Sequence, residues 1–254
     1  MKTKKVLFYV LAGILAGCVP VMSLHPLYTE QDTVFEEKLL GVWVDDPNGP
    51  EAIWEFKRPD ESKKEYELIF SDKEGQKGIF TTYLVKLKER LFLDAYPKEF
   101  PCEADDPNKM AWHYNSVFLV PVHTFMKIDC IEPLQTAGKC LSEAEQTDAD
   151  ALKKLSADYD SVLKLRLTDD EEFKKLLEQD PNAIKHEKVK DDGIVLTASP
   201  GELQAFVLKY ADDERLFSKP QVLIRRKASV HQGTTAEGSS KAEEKEKPAP
   251  PEKK

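Results

Sequence analysis

Apolar residues recur at every second position through much of the middle of the chain. Tyr66, Leu68 and Phe70 alternate with polar or lesser neighbours, and Ile79, Thr81, Tyr83, Val85 and Leu87 share one face of residues 79–87. A period of two sends successive side chains to opposite faces of a strand. The same reading makes strands of 40–45, 51–57, 90–96, 161–168, 194–198 and 221–226, with Leu163, Leu165 and Leu167 on a buried side. Asp46-Pro47-Asn48-Gly49 supplies the turn of a hairpin between the first two. Residues 116–128 are apolar on both faces. Phe118, Val120, Val122, Met126 and Ile128 lie on one face; Val117, Leu119, His123 and Phe125 lie on the other. Such a strand belongs between two layers, here a barrel interior and a covering helix.

The period changes in the second half. Thr168-Asp169-Asp170-Glu171 reads as a capping box, Phe173, Leu176 and Leu177 follow at helical spacing, and Asp180-Pro181-Asn182 ends the helix. Ser199-Pro200-Gly201-Glu202 repeats the device before the stripe Leu203, Phe206, Val207 and Tyr210. Residues 148–159 form a third amphipathic candidate, carrying Leu152, Leu155 and Tyr159, and 33–40 a short helical turn. About eight strands, mostly joined as hairpins, predict a mainly β fold: an antiparallel up-and-down barrel with two or three packed helices.

The two ends read differently. Residues 1–5 are basic, 6–16 are apolar apart from one tyrosine and one glycine, and Leu15-Ala16-Gly17-Cys18 follows. This is the order of a secretory signal. Its apolar run falls short of the ~20 residues that span a bilayer about 30 Å thick. Leu-Ala-Gly-Cys resembles the lipobox of bacterial lipoproteins. The resemblance implies cleavage after residue 17 and acyl chains on Cys18, so that the partner at this end is a membrane. Val19, which is not aspartate, implies sorting to the outer membrane, facing the periplasm. Residues 18–32 then read as a tether, 33–228 as the barrel domain with helical insertions, and 229–254, almost free of apolar residues, as a disordered Lys/Glu/Pro-rich tail.

Composition narrows the function classes. The 254-residue chain has a formal charge of −9 and no basic stripe, which speaks against nucleic acid as a partner. It also leaves no electrostatic attraction to anionic lipid. Beyond Cys18 three cysteines remain: Cys102, Cys130 and Cys140. In an oxidising compartment an odd number leaves at least one thiol unpaired within the chain. Pairing Cys130 with Cys140 would close a short loop and leave Cys102 over; the alternative is that none are bridged. The cysteine spacings lack the close pairs of a zinc site.

Leu39-Leu40-Gly41-Val42-Trp43 resembles the first strand of a lipocalin or calycin barrel, which opens with Gly-x-Trp after a short helical turn. The resemblance implies that Gly41 permits a close turn into the barrel base, that Trp43 plugs the base, and that an arginine of the last strand, Arg225 or Arg226, packs across the tryptophan; we assign Arg225. Further pieces resemble lipocalin-like lipoproteins of environmental bacteria: Ser23-Leu24-His25-Pro26-Leu27-Tyr28, Ile53-Trp54-Glu55-Phe56, Tyr83-Leu84-Val85, Phe92-Leu93-Asp94 and Pro121-Val122-His123-Thr124-Phe125. The late helices and the 129–159 insertion depart from a simple lipocalin.

No nucleophile elbow, zincin motif, P-loop or dinucleotide fingerprint occurs. The expectation is therefore a non-enzyme without cofactor or metal. His123 is the most interesting of five histidines, and a hydrogen-bonded structural role is its simplest reading. Trp54 and Trp112 read as barrel core, with a pocket lining as the alternative. Two functions follow. One is a lipocalin-like binding module holding a small apolar molecule or lipid in the barrel. The other is a structural or protein-interaction lipoprotein whose barrel is filled by side chains such as Phe70, Tyr83, Phe92 and Phe118.

Overall fold

The computed structural model describes residues 20–46, 51–98, 120–139, 157–189 and 193–227. Cys18, Cys102, Trp112, Phe118, Cys140, the proposed helix up to residue 156 and the 229–254 tail lie outside them. So the lipidation site and the Cys130–Cys140 pairing fall outside the described residues.

Eight strands close a barrel: β3 (Gly41–Val44), β4 (Ile53–Lys57), β5 (Glu65–Ser71), β6 (Lys77–Leu87), β7 (Arg90–Pro97), β8 (Thr124–Pro133), β9 (Tyr159–Leu167) and β12 (Gln221–Arg226). Every pairing around the ring is antiparallel, and β12 returns to β3 through Ile224↔Val44 and Arg225↔Trp43. Each strand therefore has two neighbours, and the barrel has no free edge. The fold is mainly β, as the alternating pattern predicts.

Between β9 and β12 the chain leaves the barrel for α1 (Asp170–Gln179), β10 (His186–Lys188), β11 (Ile194–Leu196) and α2 (Pro200–Lys209). β11 is thus not a barrel strand. It forms a small outer sheet with β10 and, in parallel, with β1 (Met22–Ser23).

Inward-facing residues from all eight strands form one cluster, including Trp43, Trp54, Phe56, Tyr66, Leu84, Leu93, Met126, Leu163 and Leu223. A second cluster lies outside the barrel wall. There Val85, Phe92 and Phe125 meet Val21 and Leu27 of the N-terminal strap and Phe173, Leu176, Leu203 and Phe206 of the helices. β8 accordingly does lie between two layers. It begins only at Thr124, however, and Val120 is 71% exposed.

Several expectations are corrected. Residues 20–32 are not a loose tether: Val21, Ser23 and Leu27 are fully buried on the barrel wall. Within 33–40, β2 (Thr33–Val34) pairs with β6 before a 3-10 turn at Glu37–Leu39. Tyr83 and Phe92 sit on the outer face, because their paired positions alternate with Leu84 and Leu93 of the interior. Asp169, not Thr168, caps α1, its carboxylate accepting the Glu172 N–H at 3.0 Å. The Thr168 hydroxyl instead accepts the N–H of Val21, 147 residues away. Tyr159, placed in a helix by its spacing, begins β9.

Candidate functional site

Two polar clusters on the barrel hold residues singled out from the sequence. The first is its base. Gly41 has φ +119°, and a Cβ there would meet Cδ of Arg225 at 2.9 Å. Only glycine suits both the backbone and the close approach. The Arg225 guanidinium lies 5.4 Å from the Trp43 ring centre and donates to the carbonyls of Lys38 and Leu40, to Asp160 and to the Ser161 hydroxyl. The Trp43 indole N–H donates to the Leu39 carbonyl at 2.8 Å. The Arg225 contacts tie the last strand to the first and to β9, and the indole bond fixes Trp43 against the turn before it, which is a structural job.

The second place is on the outer wall. β7 carries Asp94 amid Leu91, Phe92, Leu93 and Ala95, and Asp94 is fully buried. Its Oδ1 lies 2.7 Å from Nδ1 of His123, and its Oδ2 accepts the Leu27 N–H at 2.7 Å. A carboxylate at Nδ1 assigns a proton to that nitrogen, which donates to Asp94. The His123 backbone in turn exchanges two 2.8 Å hydrogen bonds with Ser23. Asp94 and His123 thus clasp the strap onto β7 and β8.

Beside the clasp lies a cleft of about 500 Å³ lined by Leu24, Tyr28, Thr81, Tyr83, Tyr96, Val120, Pro121 and His123. The rings run in a row. Tyr83 lies 4.3 Å from Tyr28 between centres, Tyr28 meets His123 edge-on at 6.5 Å, and His123 meets Tyr96 at 4.5 Å with the rings tilted by 37°. The Tyr83 hydroxyl donates to Glu65 at 3.0 Å. Burial, then Tyr83 and the Asp94 carboxylate, push the Tyr28 phenol far above its ordinary range. Burial and Glu65 raise Tyr83 as well. Both phenols are neutral hydrogen-bonding groups near neutral pH. Leu24 at 43% and Val120 leave apolar surface exposed in this cleft, and Ile79, at 45%, lies two residues from Thr81 on β6.

Of the residues singled out from sequence, Gly41, Trp43 and Arg225 come together at the base, while His123 lies in the outer cleft. Trp54 packs in the barrel interior against Phe70, at 5.0 Å between ring centres. Cys130 is half-buried on β8. Sequence reasoning did not single out Asp94 or Tyr28. A signal for Asp94 did exist, since it is the lone charge in the run Leu91–Ala95, and a buried charge needs a partner. Among the described residues no group of three or more metal-ligating side chains occurs, and no helix is long and apolar enough to cross a membrane. Comparison with family models, with curated proteins and with solved structures yields no match.

Proposed function

We propose that this chain is a lipid-anchored envelope protein, held by acyl chains on Cys18, whose barrel is a solid scaffold and whose contacts are made by the outer cleft. The observation that carries the reading is the single inward cluster built from all eight strands, with the large rings of Trp43, Trp54, Phe56 and Tyr66 among its members. Side chains that fill a small barrel leave the ligand no room there. The reading assigns the cleft binding, not catalysis. Native mass spectrometry of protein purified without its anchor tests it. The expected spectrum shows the bare polypeptide mass; a co-purified lipid lost on Trp54→Arg would overturn the scaffold reading.

One observation favours a second reading, a small apolar ligand inside the barrel. Thr82 and Thr124 flank Ala95 across β6, β7 and β8 on the inner face, and neither buried hydroxyl has a hydrogen-bond partner. Buried hydroxyls ordinarily have one. A ligand with a polar head among an apolar body would supply it. The same spectrum decides this reading, with Thr82→Val expected to weaken retention of such a ligand.

A further inference from the structure

The strap carries information about how the domain sits. Val21 is fully buried, and its N–H is bonded to Thr168 at 3.0 Å. Met22 and Ser23 pair with Val195 and Leu196, Ser23 pairs with His123, and the Leu24 N–H donates to the Leu196 carbonyl at 2.9 Å. From residue 21 onward the chain is therefore fixed to the barrel. Three residue steps separate Val21 from Cys18, and at full extension they span only ~10 Å.

An anchor on such a short lead gives the domain little freedom to stand away from the bilayer. The wall nearest the lead must face the lipid. That wall holds Leu24, three residues beyond Val21, and Val120, which lines the same cleft. Ile79 lies two residues up the same face of β6 from Thr81. Three exposed aliphatic side chains rim a cleft whose walls are tyrosines, residues that combine an apolar ring with a polar tip and favour the lipid–water boundary. The formal charge of −9 leaves apolar contact, not attraction to anionic headgroups, as the driving term.

We propose that the cleft face docks on the bilayer surface, with Leu24 and Val120 entering the interfacial layer and the row Tyr83–Tyr28–His123–Tyr96 at headgroup depth. This rests on the proposed acylation of Cys18. The partner is the lipid surface itself, and the barrel base, with Lys38, points away from it.

The test uses the full chain expressed in its native membrane, with benzoylphenylalanine placed at position 24, 120 or 38. All three positions are exposed, so the barrel packing is untouched. After irradiation, intact mass of the purified mature chain reads both acylation and adduct. The expected result is an acylated chain with lipid adducts at 24 and 120 and none above background at 38. An acylated chain without a lipid adduct at 120, with a protein adduct there, or with equal adduct at 38 overturns the docking and leaves the anchor standing. A chain lacking the acyl mass overturns the anchor and the docking together.

Discussion

The two faces of β7 are built from the same eight residues and held by opposite means. Inward, Leu91, Leu93 and Ala95 pack among residues of the neighbouring strands, which the hairpin order brings alongside. Outward, Phe92 meets Phe217 at 5.9 Å, Asp94 holds Leu27 and His123, and Tyr96 packs against the His123 ring. The inner face is a repeat of one apolar rule. The outer face is assembled from segments distant in sequence and uses hydrogen bonds to fix which segment goes where. Buried apolar contact supplies stability in both, but only the outer face needs polar specificity, because its partners are not delivered by the strand order.

The inner face should fail as a whole. Trp43→Ala empties a fully buried site, removes the stacking surface of Arg225 and loses the indole bond to Leu39. A loss of about 3–5 kcal/mol is expected, the usual range for a large aromatic truncated in a core. Urea denaturation should show one transition at lower midpoint. Two separated transitions would mean that barrel and outer layer fold independently.

The outer face should fail locally. Asp94→Ala leaves the Leu27 N–H and the His123 ring N–H without their acceptor in a buried place. At ~1–3 kcal/mol for each of the two unsatisfied donors, the loss is about 2–6 kcal/mol. Its signature is faster amide exchange along residues 21–28 while β4 and β5 keep their protection. Asp94→Asn, which retains one acceptor oxygen, should fall between the two. Equal deprotection of β4 and β5 would show that the strap is part of the barrel's cooperative unit and would erase the distinction between the faces.

Gly41→Ala sharpens the base of the comparison. The left-handed φ and the 2.9 Å approach to Arg225 Cδ together predict a loss of about 1–3 kcal/mol. Combining it with Arg225→Ala removes the clash but not the backbone strain, so the double variant should lose less than the sum of the singles. Strict additivity would put the whole cost in the backbone.

This difference between faces also explains what was readable in the sequence. The barrel strands showed themselves because each alternates, and alternation needs only local residues: Leu163, Leu165 and Leu167 do enter the interior cluster or pack against it. The Gly41, Trp43 and Arg225 group was readable through a resemblance, and their geometry is explicit at the base. The strap was misread because Val21, Ser23 and Leu27 have no period of their own; they are buried by surfaces more than 60 residues away. Tyr83 and Phe92 were assigned to the interior because alternation separates two faces without saying which is inside. Thr168 looked like a helix cap since its hydroxyl can serve any nearby N–H, and the one it meets belongs to Val21. The cleft was invisible for the same reason, as its lining comes from the strap, β6, β7 and the residues before β8.

Tyr66 links an interior ring to the strap's continuation and so tests the boundary between the faces. Its hydroxyl accepts the Glu36 N–H at 2.7 Å and donates to the Glu36 carbonyl at 3.2 Å. Tyr66→Phe keeps the ring and should cost about 1 kcal/mol. Burial, as the largest cause, pushes the phenol up to about 12 from 10.0. A folded-state value raised above the unfolded one gives stability that is complete below pH 10 and lost as pH rises towards 12. Wild-type stability should therefore fall more steeply than that of Tyr66→Phe over this window. Parallel curves would place the phenol in contact with water.

The smallest effect belongs to the outer layer alone. The Glu202 carboxylate accepts from the Ser199 N–H and hydroxyl, both at 2.8 Å, and pairs with Lys185 at 2.6 Å, at the start of α2. The Lys185 ammonium first, then the two Ser199 donors, hold it down to about 2 from 4.5. Because the folded-state value is depressed, its stabilisation is present above pH 4.5 and is lost as pH falls towards 2. The group is exposed, so solvent screening keeps the effect small. Glu202→Gln should narrow the stability difference between pH 6 and pH 3, and added salt should narrow it in the wild type too. The loss should appear as fraying of the first turn of α2 in amide exchange, with β3 and β4 unaffected. A pH-independent difference between the two proteins would show that hydrogen bonding, which the glutamine oxygen preserves, and not charge sets this helix start. The polar specificity of the outer layer would then rest on geometry alone, as it does where Thr168 receives Val21.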